Sequence, residues 1–250
     1  MNHRFRHRAL VLALLVAPGP ILSAELSFTD ITLEAGTGGP EARGRTGGHG
    51  VAFADVDQDG LPDLHITMIF NAPMPDLFYL NRGRGRFADA ATDRGLADPD
   101  GGSHGATFAD FDGDGDYDLL NGTTLPGEGA SASNNIYRNN GKGFFEDATP
   151  AALRARSFPT RAALAFDLDG DGDLDIVTVT GYLGTDDPKD ERNEVYRNDG
   201  DLRFTAIDGG DLETAPLGQG AVDTDFDGDG DIDLLAANRT GDLNVLRNDG

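Results

Sequence analysis

The sequence predicts an all-β protein, a β-propeller of about four four-stranded blades or a fragment of a larger ring. Three observations carry this. First, a small apolar strand running into an aspartate-rich loop recurs four times: Gly50-VAFADVDQDGLPDL, Gly105-ATFADFDGDGDYDL, Ala162-ALAFDLDGDGDLDI and Gly220-AVDTDFDGDGDIDL. The first aspartates of these loops are 55, 57 and 58 residues apart. Second, each copy continues to a turn of the Asn-x-Gly kind, at Tyr79-LNRG, Tyr137-RNNG, Tyr196-RNDG and Leu246-RNDG. Third, the chain holds 35 glycines among 250 residues and shows no 3.6-residue apolar period, which suits many short strands and not helical repeats.

Each copy reads as strand, aspartate loop, strand, long loop, strand, tight turn, strand. The first strand is small and apolar. The second, beginning near His65, Leu119, Ile176 and Leu234, is apolar and rich in β-formers in two copies. Asn-x-Gly turns are hairpin signals, and Phe87, Phe145 or Phe204 opens a fourth strand four residues after the turn glycine. Four antiparallel strands in about 55 residues make one propeller blade. The fourth copy stops at Gly250, where its last strand is due, while Phe28-TDITLEAG near the start resembles Phe87-ADAATDRG and Phe145-EDAT. The N-terminal segment is therefore expected to be an orphan fourth strand. Either four blades close with it and remove a free edge, or the chain is part of a longer ring; the abrupt stop in a turn favours the longer ring.

The loops share the pattern D-x-D-x-D-G-x-x-D. Its acids are Asp55, Asp57, Asp59 and Asp63; Asp110, Asp112, Asp114 and Asp118; Asp167, Asp169, Asp171 and Asp175; and Asp225, Asp227, Asp229 and Asp233. Alternate residues of a tight loop point the same way, so positions 1, 3 and 5 converge. Gly60, Gly115, Gly172 and Gly230 let the chain reverse at position 6. The carbonyl at position 7 (Leu61, Asp116, Asp173, Asp231) is free to turn inward, and the ninth carboxylate closes the cage. Ca²⁺ takes six to eight oxygens at about 2.3–2.6 Å, which this set supplies. Four carboxylates in one loop repel each other by about 1 kcal/mol per pair in water at 4 Å, so a cation is expected in each, about four Ca²⁺ in all. An EF-hand is excluded, because position 12 holds Ile66, Asn121, Thr178 and Ala236 and never glutamate.

Composition narrows the function classes. Lys+Arg is 20 against 44 Asp+Glu, a net charge of −24. Such a chain does not neutralise phosphates, so no nucleic acid is expected as partner, nor an anionic membrane surface. Cysteine is absent, which removes disulfides and thiolate metal sites. Residues 1–24 read as a signal peptide: Arg4, Arg6 and Arg8, then the apolar run Ala9 to Val16, a Pro18-Gly19-Pro20 break, and Ala24 before the first acid. The run is too short for a membrane span. Residues 25–250 then form the repeat domain, secreted to an extracellular or periplasmic space.

Other polar residues recur in register. His49, His104, Arg161 and Gln219 each stand six residues before a loop's first aspartate, and are expected at the end of the channel opposite the calcium, mainly bonding to neighbouring loops. Arg138, Arg197 and Arg247 precede the turns and are expected to form ion pairs between blades. Asn121-Gly-Thr and Asn238-Arg-Thr are glycosylation sequons. The long loops Ile69–Asp76, Thr123–Asn134 and Gly181–Asn193 are the expected places for partner contacts.

A nine-residue aspartate loop between two strands resembles that of FG-GAP/VCBS repeats, as in the integrin α-subunit propeller. The F-x-D opening, the G-V-A-F-A-D-V-D strand and the Y-R-N-N-G turn resemble the cartilage acidic protein (ASPIC/UnbV) branch most. The resemblance implies a secreted calcium-binding propeller without specifying a ligand. The reading is thus a non-catalytic adhesion module for an extracellular protein or glycan. The alternative is a secreted polysaccharide-processing enzyme, lyase-like, on the same propeller, with His49, His104 and Arg161 as its only clustered candidates.

Overall fold

A computed structural model describes residues 27–38, 48–69, 75–97, 102–123, 133–155, 159–181, 192–213, 218–238 and 243–250. The chain divides into two units, Met1–Ile31 and Thr32–Gly250. The expected signal peptide lies outside the described residues, as does most of each long loop. In the first unit, residues 27–31 have no regular structure, and Phe28 is wholly exposed. The expected orphan strand is not formed by these residues, and the next ones, Thr32–Ala35, make a helical turn.

The second unit holds four antiparallel sheets arranged as the blades of a β-propeller. Blade 1 contains β1 (Gly48–Ala54), β2 (Asp63–Met68), β3 (Leu77–Asn81) and β4 (Phe87–Asp89). Blade 2 contains β5 (Ser103–Ala109), β6 (Asp118–Thr123), β7 (Asn135–Asn139) and β8 (Phe145–Asp147). Blade 3 contains β9 (Thr160–Phe166), β10 (Asp175–Thr180), β11 (Glu194–Asn198) and β12 (Phe204–Ile207). Blade 4 has three strands, β13 (Gly218–Thr224), β14 (Asp233–Asn238) and β15 (Leu243–Leu246). Neighbours in sequence are neighbours in each sheet, so every connection is a hairpin.

The first strand of each blade is innermost. β1 packs beside β5, β5 beside β9 and β9 beside β13. This close approach explains the small residues there: a Cβ on Gly50 would collide with the carbonyl oxygen of His104, and one on Gly105 with that of Arg161. The second strands are sandwiched, and β6 and β10 are buried along their whole length. That removes the in/out alternation a one-sided sheet would show.

Each complete blade ends in a feature absent from the sequence reading, a single helical turn after the fourth strand. These are α2 (Ala91–Arg94), α3 (Ala151–Arg154) and a 3₁₀ turn at Gly210–Leu212, with α1 (Thr32–Ala35) ahead of blade 1. Each drops one leucine, Leu96, Leu153 or Leu212, into the apolar cluster between its own blade and the next. Among the described residues the hydrophobic core is a series of three inter-blade clusters, with a satellite in blade 1 around Leu64, Met68, Leu77 and Tyr79.

Candidate metal centres in the aspartate loops

The loops follow β1, β5, β9 and β13, at the opposite strand end from His49, His104, Arg161 and Gln219. The chain reverses within each loop by two residues of positive φ. One is the expected glycine, with φ of 87° at Gly60 and 92° at Gly115. The other is two positions earlier, where Gly113, Gly170 and Gly228 stand and Gln58 takes φ 59° in their place. This second reversal was legible as the D-G-D-G repeat of three copies.

The first aspartate organises the loop. The Asp59 and Gly60 amides donate to the two carboxylate oxygens of Asp55, at 3.0 and 2.8 Å. Asp110 accepts from Gly113, Asp114 and Gly115 in the same way. The fifth-position acids close small turns with the seventh amide, Asp59 with Leu61, Asp114 with Asp116, Asp171 with Asp173 and Asp229 with Asp231. Seventh-position side chains turn away from the cluster toward their own blade's turn glycine, Leu61 to Gly83, Asp116 to Gly141, Asp173 to Gly200 and Asp231 to Gly250.

The ninth aspartate does a second job. Asp118 is fully buried; its Oδ2 accepts the Phe111 amide at 3.1 Å and its Oδ1 the Asn139 amide at 2.9 Å. Asp63, Asp175 and Asp233 repeat both bonds, with Val56 and Asn81, Leu168 and Asn198, and Phe226 and Asn248. The carboxylate therefore ties the loop's start to the blade's third strand.

Ligand atoms of Asp55, Asp57 and Asp63 lie within 4.8 Å of one another, as do those of Asp110, Asp112 and Asp118, and of Asp167, Asp169 and Asp175. In blade 4 the cluster is Asp225, Asp227 and Asp229, all exposed. Positions 1 and 3 thus meet in every loop, joined by position 9 in three and position 5 in the last. Burial pushes the Asp118 carboxyl up to about 7 and Asp63 up to about 6. The amides they accept from pull the other way, while neighbouring aspartates add to the rise. Asp175 and Asp112 are raised for the same first reason. Buried, mutually repelling carboxylates around one point form a donor set that fits a hard oxygen-seeking cation, whose charge would restore their ordinary acidity.

The remaining recurrent residues fall elsewhere. Arg138, Arg197 and Arg247 do not bridge blades; they pair with Glu146, Asp199 and Asp249 inside their own hairpins. A residue preceding the turn on an outer strand reaches its own turn more easily than a neighbouring blade. The inter-blade bond belongs to the next residue. Asn139 Nδ2 donates to the Val56 carbonyl of blade 1, Asn198 Nδ2 to Phe111 of blade 2 and Asn248 Nδ2 to Leu168 of blade 3. The invariant Asn of the four turns was the signal for this staple, absorbed in the sequence by the hairpin reading. Arg94 adds a cation–π contact between blades, 4.1 Å from the Phe144 ring.

Asn121 is buried, bonded to His65 and Asp76, which closes its sequon to a glycan. His49 and His104 do come together, with ring centroids 4.6 Å apart, and Arg161 Nη1 is 3.3 Å from His104 Nε2. Arg161 is buried, and its Nε donates to the Gly181 carbonyl. Burial, then the Arg161 charge, then His49, lower His104 to about 4, so it is neutral at pH 7. The cluster thus includes bonds between neighbouring blades.

With this geometry in place, comparison with known proteins identifies the repeat. Residues 67–120 and 127–178 match the family model of the FG-GAP-like repeat, and the chain carries FG-GAP-like repeats. It is similar to cartilage acidic protein 1 of Homo sapiens, 30% identical over 84% of this chain and 30% of that protein. The Mus musculus protein of the same name is 28% identical over 84% of this chain and 31% of its own length. The chain therefore spans about a third of the curated relatives it matches. A crystal structure of the V. cholerae biofilm matrix protein Bap1 is similar with a TM-score of 0.40 and 17% identity, covering 76% of this chain and 28% of that one.

Proposed function

We propose that this chain is a secreted propeller module whose loops hold calcium and whose surface binds an extracellular protein or glycan without turning it over. One observation carries the metal reading: the same three-carboxylate convergence recurs in all four loops, in three of them around a buried ninth aspartate. Similarity to a protein named for cartilage and acidity supports an extracellular setting, as does the expected leader at residues 1–24. Calcium fits the many-carboxylate, flexible donor set better than Mg²⁺, which demands a near-ideal octahedron. The ion's part is to lock loop and blade geometry, leaving the long loops to meet the partner.

Extracellular modules bind Ca²⁺ with dissociation constants of about 10⁻⁴–10⁻³ M. At tenfold excess over that constant each site adds about 1.4 kcal/mol, so four independent sites add about 6 kcal/mol. The test is calorimetric titration of metal-free protein, followed by a thermal melt with and without chelator at fixed ionic strength. About four sites and a sharp fall in midpoint on chelation are expected, with Mg²⁺ a poor substitute. Fewer than two sites, or an unchanged midpoint, overturns the reading.

A further inference from the structure

Blade 1 departs from its neighbours in the turn between β3 and β4. The turn reads Arg82-Gly-Arg84-Gly-Arg86, in a chain with 44 acids against 20 Lys and Arg. All three arginines are exposed, and none forms an ion pair among the described residues. In the matching turn of blade 3, Arg203 holds the place of Arg86 and pairs with Asp201. A second difference falls at the same point. In blades 2 and 3 an acid from the seventh loop position, Asp116 or Asp173, lies against the turn glycine. In blade 1 that neighbour is Leu61. The other acids of the blade 1 loop, Asp55, Asp57 and Asp63, converge on their own cluster. Charges more than about 8 Å away are largely screened at physiological ionic strength, so the sign of this surface is set locally and not by the net charge.

The backbone holds the arginines in a fixed arrangement. The Arg82 amide donates to the Arg86 carbonyl at 2.7 Å, and the Arg86 amide to the Gly83 carbonyl at 3.1 Å. Arg82 and Arg86 therefore stand opposite each other, with Arg84 at the tip. Arg84 has φ 56°, in the left-handed region that favours glycine. An arginine at a position where glycine fits better points to a use for its charge. The Asn81 amide donates to Asp63, which places the turn at the aspartate-loop end of the blade, opposite the long loops.

We propose that this turn binds a sulfated glycan. Guanidinium forks pair with oxyanions, and a short arginine-rich run is the form that heparin-type patches take. Three guanidiniums on five residues match a polymer whose sulfates are closely spaced. The turn offers glycine and arginine alone, without the apolar anchor on which a protein interface centres. A nucleic acid or an anionic bilayer would extend past one turn and meet the acidic loops of the next blades. The site is separate from the long loops and stands whether or not they bind a partner.

The test is the affinity of the purified protein for heparin at low ionic strength and fixed free calcium, with hyaluronan and polyglutamate as the unsulfated polyanions. Heparin should bind, the other two should bind far more weakly, and capture should fade as salt rises. Each of Arg82→Gln, Arg84→Gln and Arg86→Gln should weaken binding about two- to fivefold, and the triple variant about tenfold or more. Arg203→Gln should leave it unchanged. Leu61→Asp, which supplies the acid of the other blades, should weaken binding with every arginine in place. Arg84→Gly should weaken it without lowering the melting midpoint, because glycine suits the tip. Wild-type protein that ignores heparin, a triple variant that binds like wild type, or equal capture by polyglutamate overturns the proposal. The calcium titration of the arginine variants should match wild type, so failure here and failure of the calcium reading are told apart.

Discussion

The junction between blades 2 and 3 and the junction between blades 3 and 4 are built on one polar frame but filled differently. In both, the ninth aspartate accepts two amides and an asparagine donates across to the previous blade's loop, Asn198 to Phe111 and Asn248 to Leu168. Between blades 2 and 3 the space is packed by Phe111, Phe204, Leu153 and Tyr196. Between blades 3 and 4 it holds a cleft lined in part by Val245, and Phe226, Val222 and Leu243 are exposed. The polar frame is local: it is complete once the loop and the third strand exist. The apolar filling is not, because it draws on Phe111 from the neighbouring blade's loop, Leu153 from the turn after β8 and Phe204 from the fourth strand.

Four perturbations probe that contrast, in falling order of effect. Phe204→Ala should cost about 3–5 kcal/mol in urea unfolding, the usual range for emptying a packed aromatic site. Leu246→Ala, beside the existing cleft, should cost less; equal losses would show that the two junctions are equally packed.

Acid should act on the junction between blades 1 and 2 through His65. This side chain is fully buried, its Nε2 is 3.1 Å from Asn121 Oδ1, and Asp76 Oδ2 stands at 3.7 Å. Burial lowers it to about 4, partly offset by the Asn121 bond. Below about pH 6.5 the unfolded chain takes up this proton and the folded chain does not, so stability falls as pH drops from about 6.5 to about 4. The loss should total on the order of 3 kcal/mol. His65→Leu, matching Leu120 in blade 2 and Leu235 in blade 4, should flatten that slope. An unchanged pH dependence in the variant would assign the acid sensitivity to other groups.

Asn198→Ala removes donors to Phe111 and Leu174 from a fully buried site and should cost about 2 kcal/mol. Asn81→Ala, whose Nδ2 reaches the Pro62 carbonyl of its own blade, should cost about 1 kcal/mol or less. Double-mutant cycles with the facing blade would separate the staple from the turn. Leu168→Phe should fill part of the cleft and add about 1 kcal/mol of stability. A destabilised Leu168→Phe protein would mean that the cleft does not accept a ring from its own wall.

The repeat, the strand order and the positions of the loop acids were legible in the chain because all three are set by residues near one another in sequence. A D-x-D-x-D-G-x-x-D loop between two short strands brings its own carboxylates together, and Asn-x-Gly makes its own hairpin. What lies between blades was not legible. Arg138 and Asn139 are adjacent and recur equally, yet Arg138 pairs with Glu146 in its own hairpin while Asn139 crosses to Val56, a residue 83 positions away. Asn121 reads as a sequon until burial beside His65 and Asp76 shows it to be core. The sequence by itself determined the blade; only the tertiary structure decided which polar groups bind blade to blade. The reason is that hydrogen bonds within a hairpin are fixed by short-range geometry, whereas burial depends on which surfaces from distant parts of the chain meet.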